Sequence, residues 1–451
     1  MGQAGEPDRP PRLLVLHDSK FATVRTKEGA VEKIIISGGN PLRGTVQISG
    51  SKNAALPIIA ATLLTSEPCV IRGVPNLSDI QFMCDILRWL SVKVTHHKDD
   101  GVIETRAGHP LGVAPYELVR KMRASICLLG PMLARLHNCK VSLPGGCVIG
   151  DRPIDQHIKG LKRLGAEVVI ENGYVHARCN ELTGNDVFMG GRFGSTVLGT
   201  ANVMMAAVLA SGTTWIEGAA CEPEIEDLAN FLVKMGAKIK GVGNHILEIE
   251  GVPELHGAEH SIIPDRIEAG TFMTAAAITN GDIEIKGARA EHLCALRDKL
   301  EEAGVTVERI NGSIRVKGNG DLKPVDVITM PYPGFPTDMQ AQMSAVMTVT
   351  PGISVITEKV FPNRFMHISE MARLGADVSL EGSSAIVKGV KHLSGAPVMA
   401  SDLRASAGLV LAGLVAEGET EVNRIYHVDR GYEGIDHKLR QLGAKIERVA
   451  E

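Results

Sequence analysis

A thiol set in a glycine-rich loop is the first chemistry the sequence offers. Cys147 lies in the run Leu143-Pro144-Gly145-Gly146-Cys147-Val148-Ile149-Gly150-Asp151-Arg152-Pro153. A short apolar strand over 140–143 precedes the loop, and an amphipathic helix over 155–164 follows it. Its glycines and prolines oppose regular structure and mark a mobile surface loop. A free thiol titrates near ~8.5, and a nearby guanidinium, here Arg152, or a helix N-terminus lowers that value. The arrangement suits a proton donor or a nucleophile carried on a lid. A glycine loop with an incidental cysteine is the competing reading.

A second group of reactive side chains recurs at matching places. Lys52-Asn53, Arg123, Ser195, Glu268, Asp338 and Arg404 stand at or just before the starts of strongly apolar helical segments. A helix N-terminus carries unsatisfied amides and a positive end, so it favours anions and disfavours cations. Lysine or arginine there is solvated, paired with Asp or Glu, or opposite an anionic ligand. For Lys52, Arg123 and Arg404 taken together, the ligand is the favoured reading.

The elements that position these residues form an internal repeat. Six segments share an amphipathic helix, a Gly-Ala-like turn and a short strand: ILRWLSVKV, LKRLGAEVV, LVKMGAKIK, LEEAGVTVE, MARLGADVS and LRQLGAKIE. Their turn residues, Ser91, Gly165, Gly236, Gly304, Gly375 and Gly443, are spaced by 74, 71, 68, 71 and 68 residues. A period of that length, kept five times, indicates repeated supersecondary units. Each unit also holds a helix that is apolar almost all round, such as STVLGTANVMMAAVLA or ASAGLVLAGLVAE, and such a helix must be buried on every face. Six units therefore predict six helices enclosed by sheets. Three units per globule gives two similar globules of about two hundred residues. Ahead of them, residues 1–32 read as a polar, proline-rich extension with one possible short strand, RLLVLH at 12–17.

Composition excludes several classes. The 451 residues carry a net charge of −4 with no basic run, so nothing points to nucleic acid. No apolar run of eighteen residues and no secretory h-region is visible, so no membrane association is expected. Met1-Gly2 is followed by Glu6 where a myristoylation signal wants Ser or Thr. The eight cysteines form no CxxC pair and read as reduced thiols of a cytoplasmic protein. Cys84, Cys127 and Cys294 fall in helical patterns expected to bury them. Gly190-Gly191-Arg192-Phe193-Gly194-Ser195-Thr196 lacks the lysine of a phosphate loop, and no Rossmann fingerprint is placed where it should be. His96-His97-Lys98-Asp99-Asp100 reads as a solvated turn rather than a metal site. No cofactor and no metal are expected.

The longer motifs carry a resemblance. GSKNAALP at 50–57, KMRASI at 121–126, LPGGCVIGDRPIDQHI at 143–158, EPEIEDLANFL at 222–232, PGFPTDMQAQ at 333–342, NRFMHISEMARLGA at 363–376, SDLRASAGLVLAGL at 401–414 and IYHVDRGYE at 425–433 occur in order. Over about 33–449 the chain resembles the enolpyruvyl transferase family, in particular the branch that opens peptidoglycan precursor synthesis. The resemblance implies an inside-out α/β barrel of two domains with the site between them. The domains would be 52–264, and 33–51 together with 265–451, with hinges near Lys52 and Asp265. It implies transfer of the enolpyruvyl group of phosphoenolpyruvate to the 3′-hydroxyl of UDP-N-acetylglucosamine, with release of phosphate, by a monomeric enzyme. Cys147 would be the proton donor, the site of a covalent phosphoenolpyruvate adduct and the target of the epoxide fosfomycin. Asp338 would bind the 3′-hydroxyl and act as base. Lys52, Arg152 and Arg430 would clamp phosphate and carboxylate, with Arg404 near phosphoenolpyruvate and Asp402 supporting it, and Asn53 would touch both substrates. Arg123, Arg152, Pro153, Ile154, Asp155 and Gln156, with His157 beside them, would contact the uridine nucleotide, and Val360 the sugar nucleotide. Two departures stand out. Cys127 replaces a tryptophan of better-known members, read as a tolerated buried change. The segment at 193–198 replaces a Ser-Val-Gly pattern at the diphosphate, where Ser195 and Thr196 could still donate. A relative acting on a uridine monophosphate and an inactive binding relative are the alternatives.

Overall fold

The computed structural model describes residues 32–145 and 154–450. Cys147, Arg152, Pro153 and the strand expected at 12–17 lie outside the described residues.

Each apolar helix is enclosed, as its composition requires. Every residue of Arg266–Ile278 but the first is buried, as is every residue of Leu403–Gly413 but the first. Lys52–Ala61 is buried except at Asn53, and Gln340–Thr348 throughout. Val197–Ala207 is buried from Gly199 onward, and a 3-10 turn at Arg123–Leu128 leads into the buried helix Leu129–Leu136. Around these helices stand six four-stranded sheets of one topology. In each, an edge strand runs parallel to a central strand, and two further strands follow antiparallel. One example is the order Glu259–Ser261, Pro68–Arg72, Val102–Arg106, Lys93–His97. The period of two buries one face, as Ile283 and Ile285 show on Asp282–Lys286. The helices lie inside and the sheets outside, which is the inside-out α/β arrangement.

The turn landmarks have a common physical cause. Ser91, Gly165, Gly236, Gly304, Gly375 and Gly443 all have positive φ, between 65° and 103°. The residue after each donates its amide five residues back, as in Val92→Leu87, Ala166→Leu161 and Ala444→Leu439. The landmark itself donates three back, as in Gly443→Arg440. This double bond closes a helix C-terminus through a left-handed residue, where glycine has no Cβ to strain.

Two separate cores result. One gathers buried side chains from Ala54 to Ile263, the other Ile34 to Ile48 together with Ile267 to Ile446. The first described residues belong to the second core. Glu32–Ser37 completes the sheet of Glu419–Asn423 and Lys445–Ala450, and Arg43–Gln47 completes that of Asp282–Lys286. The two crossings between cores lie side by side: Ser51 N donates to Ile263 O at 2.8 Å and Asp265 N to Ser49 O at 2.9 Å. Glu268 fastens this pair, accepting from Ser49 N at 2.7 Å and Lys438 Nζ at 2.6 Å. Among the described residues no helix is long and apolar enough to cross a membrane.

Left-handed backbone rather than crowding should set the cost of changing a landmark. Gly443 has nothing within 4 Å of a built Cβ, yet its φ is +98°. Gly443→Ala is expected to lose about 1–2 kcal/mol in urea unfolding, whereas Ser91→Gly should lose none. Equal stability of Gly443→Ala and the parent would refute this account.

Candidate active site

Three of the buried helix starts, at Lys52, Asp338 and Arg404, come together, and their charges are unequal. Lys52 opens its helix at 6% exposure. Its Nζ donates to Asp79 Oδ2 at 3.0 Å and to the Arg430 carbonyl at 3.0 Å, while Arg430 Nε reaches Asp79 Oδ1 at 3.0 Å. Asp79 thus takes a cation on each oxygen, one from each core. Burial pushes the Lys52 ammonium down; Asp79 opposes this, and Arg404 and Arg430 add to it. Burial alone would raise the Asp79 carboxyl, but Lys52 and Arg430 outweigh it and hold it low. Both shifts run downward: one carboxylate gains from two cations, whereas the buried ammonium shares that carboxylate with Arg430. This corner has a cation surplus, the condition an anionic ligand relieves.

Asp338 and Arg404 form the second corner. Asp338 sits in the 3-10 turn Thr337–Met339 that opens the Gln340–Thr348 helix. Arg364 Nη1 donates to its Oδ1 at 2.7 Å, and Arg404 Nε lies 3.7 Å from its Oδ2. Asp402 caps the Leu403–Gly413 helix through Oδ1, bonded by Arg404 N at 2.7 Å and Ala405 N at 3.0 Å. Beneath Arg404 lies Tyr432, with the guanidinium 5.0 Å from the ring centroid. The Tyr432 hydroxyl meets Thr271 Oγ1 at 2.8 Å and Gln342 Nε2 at 3.1 Å. Burial pulls the Arg404 guanidinium down, and Tyr432 and Asp338 more than offset it. Its Nη1 is buried without a hydrogen-bond partner among the described residues, a donor left for a ligand.

A third cluster lies within the first core. His157, 5% exposed, accepts through Nδ1 from Asn202 Nδ2 at 2.7 Å. Asn202 also donates to Ile126 O and accepts from Gly130 N, both at 2.8 Å. A donor on Nδ1 makes the ring the neutral Nε2–H tautomer. Burial pulls its pKa down to about 4, Arg123 adds to the fall, and Asp155 opposes it. Arg123, Asp155 and His157 are therefore neighbours, with Ile154 buried and Gln156 Nε2 bonded to Asp155 Oδ2 at 3.1 Å. Thr196 caps the Val197–Ala207 helix through Oγ1, so its oxygen is engaged while its hydroxyl proton can still donate. Asn53 is exposed, and Val360 is half-buried in a loop bonded toward Thr337.

Residues 36–439 match the EPSP synthase (3-phosphoshikimate 1-carboxyvinyltransferase) family. The UDP-N-acetylglucosamine 1-carboxyvinyltransferase of Methylacidiphilum infernorum is 59% identical over 419 residues, 93% of this chain and 99% of that one. UDP-N-acetylglucosamine 1-carboxyvinyltransferase 1 of Caldanaerobacter subterraneus is 54% identical over 416 residues, 92% and 99% of the two chains. The chain belongs to this family of carboxyvinyl transferases. Its fold is likewise that of the enolpyruvyl transferase NikO from Streptomyces tendae, at TM-score 0.85 and 24% identity over 94% of this chain and all of that one. The EPSP synthase of Acinetobacter baumannii superposes at TM-score 0.70 with 19% identity, over 93% and 100% of the chains.

For this carboxyvinyl transferase, several sequence readings need revision. The cations at two of the helix starts have carboxylates of their own: Asp79 for Lys52 and Asp338 for Arg404. Pairing at Lys52 falls short of neutrality and so leaves the ligand reading open to it. Asp79 was not singled out. An acid in a helix first turn reads as a solvated cap, and only the packing shows it 3% exposed. Arg364 lay in a quoted motif without a role, yet it holds Asp338 and sits 3.7 Å from Asp402. Cys294 is exposed rather than buried; it opens the helix Cys294–Glu302 on that helix's outer side, whereas Cys84 and Cys127 are buried as expected. Burial pushes Cys84 up to about 11 and Cys127 up to about 12, leaving both inert. His96 and His97 end the strand Lys93–His97 instead of lying in the turn after it.

His157 gives a pH dependence with a fixed sign. Its folded pKa, about 4, lies below the ordinary 6.5. Above the ordinary value neither state holds the proton; below it the unfolded chain binds one that the folded protein refuses. Stability is therefore lost as pH falls through that interval, by about 3 kcal/mol when complete. His157→Gln should flatten urea-unfolding stability between pH 6.5 and 4. An unchanged slope would remove His157 from the balance.

Proposed function

We propose that this protein transfers the enolpyruvyl group of phosphoenolpyruvate to the 3′-hydroxyl of UDP-N-acetylglucosamine, in the cytoplasm and as a monomer, supplying peptidoglycan precursor synthesis. The observation that carries the reading is the cation surplus of Lys52, Arg430 and Arg404 beside the carboxylate of Asp338. A trianionic cosubstrate needs such cations, and a hydroxyl nucleophile needs a base. The acceptor is the one named for relatives more than half identical over nearly the whole chain. The two cores serve as two domains, 52–264 and 33–51 with 265–451, meeting at this site.

In the addition step the 3′-hydroxyl oxygen bonds to C2 of phosphoenolpyruvate, Asp338 takes the hydroxyl proton, and Cys147 delivers a proton to the C3 methylene. The product is a tetrahedral ketal. In the elimination step C3 returns a proton to the Cys147 thiolate, the C2–phosphate oxygen bond breaks, and inorganic phosphate leaves. Lys52, Arg152 and Arg430 hold phosphate and carboxylate, with Asn53 between the substrates and Arg404 beside phosphoenolpyruvate. Arg123 with Arg152, Pro153, Ile154, Asp155, Gln156 and His157 receives the uridine nucleotide, Ser195 and Thr196 the diphosphate, and Val360 the sugar.

Phosphate release measured with UDP-N-acetylglucosamine, shikimate 3-phosphate and uridine monophosphate separates the acceptors. Release is expected with the first alone; release with another, or with none, would overturn the assignment. In the same assay Asp338→Asn should lower kcat at least a hundredfold while KM changes far less, since a base acts in the transition state. Near-normal turnover would remove Asp338 from the mechanism.

Fosfomycin, a small anionic epoxide, should alkylate Cys147 in preference to the exposed Cys294, because the cleft's cations concentrate anions. Cys147→Asp should stay active and become resistant, as a carboxyl can donate the proton without a sulfur to alkylate. Peptide mapping decides; an adduct on Cys294 instead would overturn the placement of the thiol.

A further inference from the structure

Glu358 is a carboxylate with no exposure at all, and the reaction as written makes no use of it. A buried charge is tolerated only when its lone pairs are met by donors. Here four donors meet it. Oε1 accepts from Thr329 Oγ1 at 2.5 Å, Val360 N at 2.8 Å and Phe361 N at 2.9 Å. Oε2 accepts from Thr337 Oγ1 at 2.8 Å. Thr329 Oγ1 in turn accepts from Lys359 N at 2.9 Å, so three consecutive amides of the 359–361 loop are fixed by one small cluster.

The other oxygen faces the reaction. Thr337 Oγ1 donates to Glu358 and accepts from Arg364 Nη1 at 3.2 Å. The same Nη1 donates to Asp338 Oδ1 at 2.7 Å. A continuous chain of hydrogen bonds therefore runs from the Val360 amide through Glu358, Thr337 and Arg364 to Asp338. Its members come from the end of the strand Ile353–Thr357, the turn Thr337–Met339 and the approach to the helix Met366–Arg373. Both Glu358 and Arg364 are buried, so neither can turn to water if a link is cut.

We infer that Glu358 is a positioning residue, with Thr337 as its link, that sets the distance between the acceptor-binding loop at Val360 and the carboxylate of Asp338. The inference rests on the proposed roles of Asp338 and Val360. It assigns Glu358 no contact with substrate: one carboxylate holds the sugar-contacting loop with one oxygen and the turn carrying the base with the other. A longer or shorter spacing would present the 3′-hydroxyl out of line with Asp338, and displacements of about 1 Å are enough to slow catalysis strongly.

Thr337→Val tests the link while preserving shape, and Thr337→Ser restores the hydroxyl. Thr337→Val should lower kcat at least tenfold and raise KM for UDP-N-acetylglucosamine several-fold, with KM for phosphoenolpyruvate within twofold of the parent. Thr337→Ser should recover at least half of the parent kcat, which a loss of packing alone would not predict. Glu358→Gln keeps an acceptor for the two amides and weakens only the Thr337 side. It should reproduce the Thr337→Val pattern in milder form, and it serves as the test should Thr337→Val fail to fold. Parent-like kinetics in a folded Thr337→Val protein, or equal losses for both substrates, would overturn the inference alone. A parent enzyme that releases no phosphate with UDP-N-acetylglucosamine would bring down the acceptor assignment and this inference with it.

Discussion

A helix made almost wholly of apolar and small residues must be enclosed, and the described residues hold six helices so enclosed. Enclosing them forces sheets to the outside and divides the molecule into two cores, each with three helices inside. The ends of these helices are the only parts free to carry charge. That is where Lys52, Asp338 and Arg404 are found, with Glu268 in the first turn of its helix. The reactive centre is thus a consequence of how the helices are buried rather than an addition to the fold.

Charge at those ends is managed by partial pairing. Full neutralisation of Lys52 and Arg430 would leave nothing to attract an anion; leaving them unpaired would bury cations at prohibitive cost. Asp79 supplies a single carboxylate for both, which offsets the cost of burying them and leaves positive charge in excess. Because Arg430 belongs to the second core and Lys52 and Asp79 to the first, the same carboxylate also ties the two cores together.

The residues proposed for substrate come from distant parts of the chain and are held by further buried polar groups. Tyr432 lies under Arg404, Arg364 reaches Asp338, and Asn202 fixes the tautomer of His157. Each is a buried polar group among apolar neighbours, and each has its bonding directed toward a residue proposed for substrate. Interior polarity in this protein is concentrated where it aims a side chain.

The sequence by itself determined the repeat, because its physical cause is local. A left-handed residue after a helix must be glycine or tolerate strain, so Gly165, Gly236, Gly304, Gly375 and Gly443 close five of the six amphipathic helices of the repeat, and Ser91 takes the strain at the sixth. Apolar runs likewise identified the enclosed helices, and motif resemblance singled out Lys52, Asp338, Arg404 and Arg430 as candidates. Only the tertiary structure decided which charges meet. Asp79 lies 351 residues from Arg430, and Glu358 is separated by twenty or more residues from both threonines it binds. Nothing in local propensity or spacing encodes those encounters. The outward setting of Cys294 escaped the sequence for a related reason: helical periodicity shows that a residue lies on a helix, but its neighbours decide which side meets water.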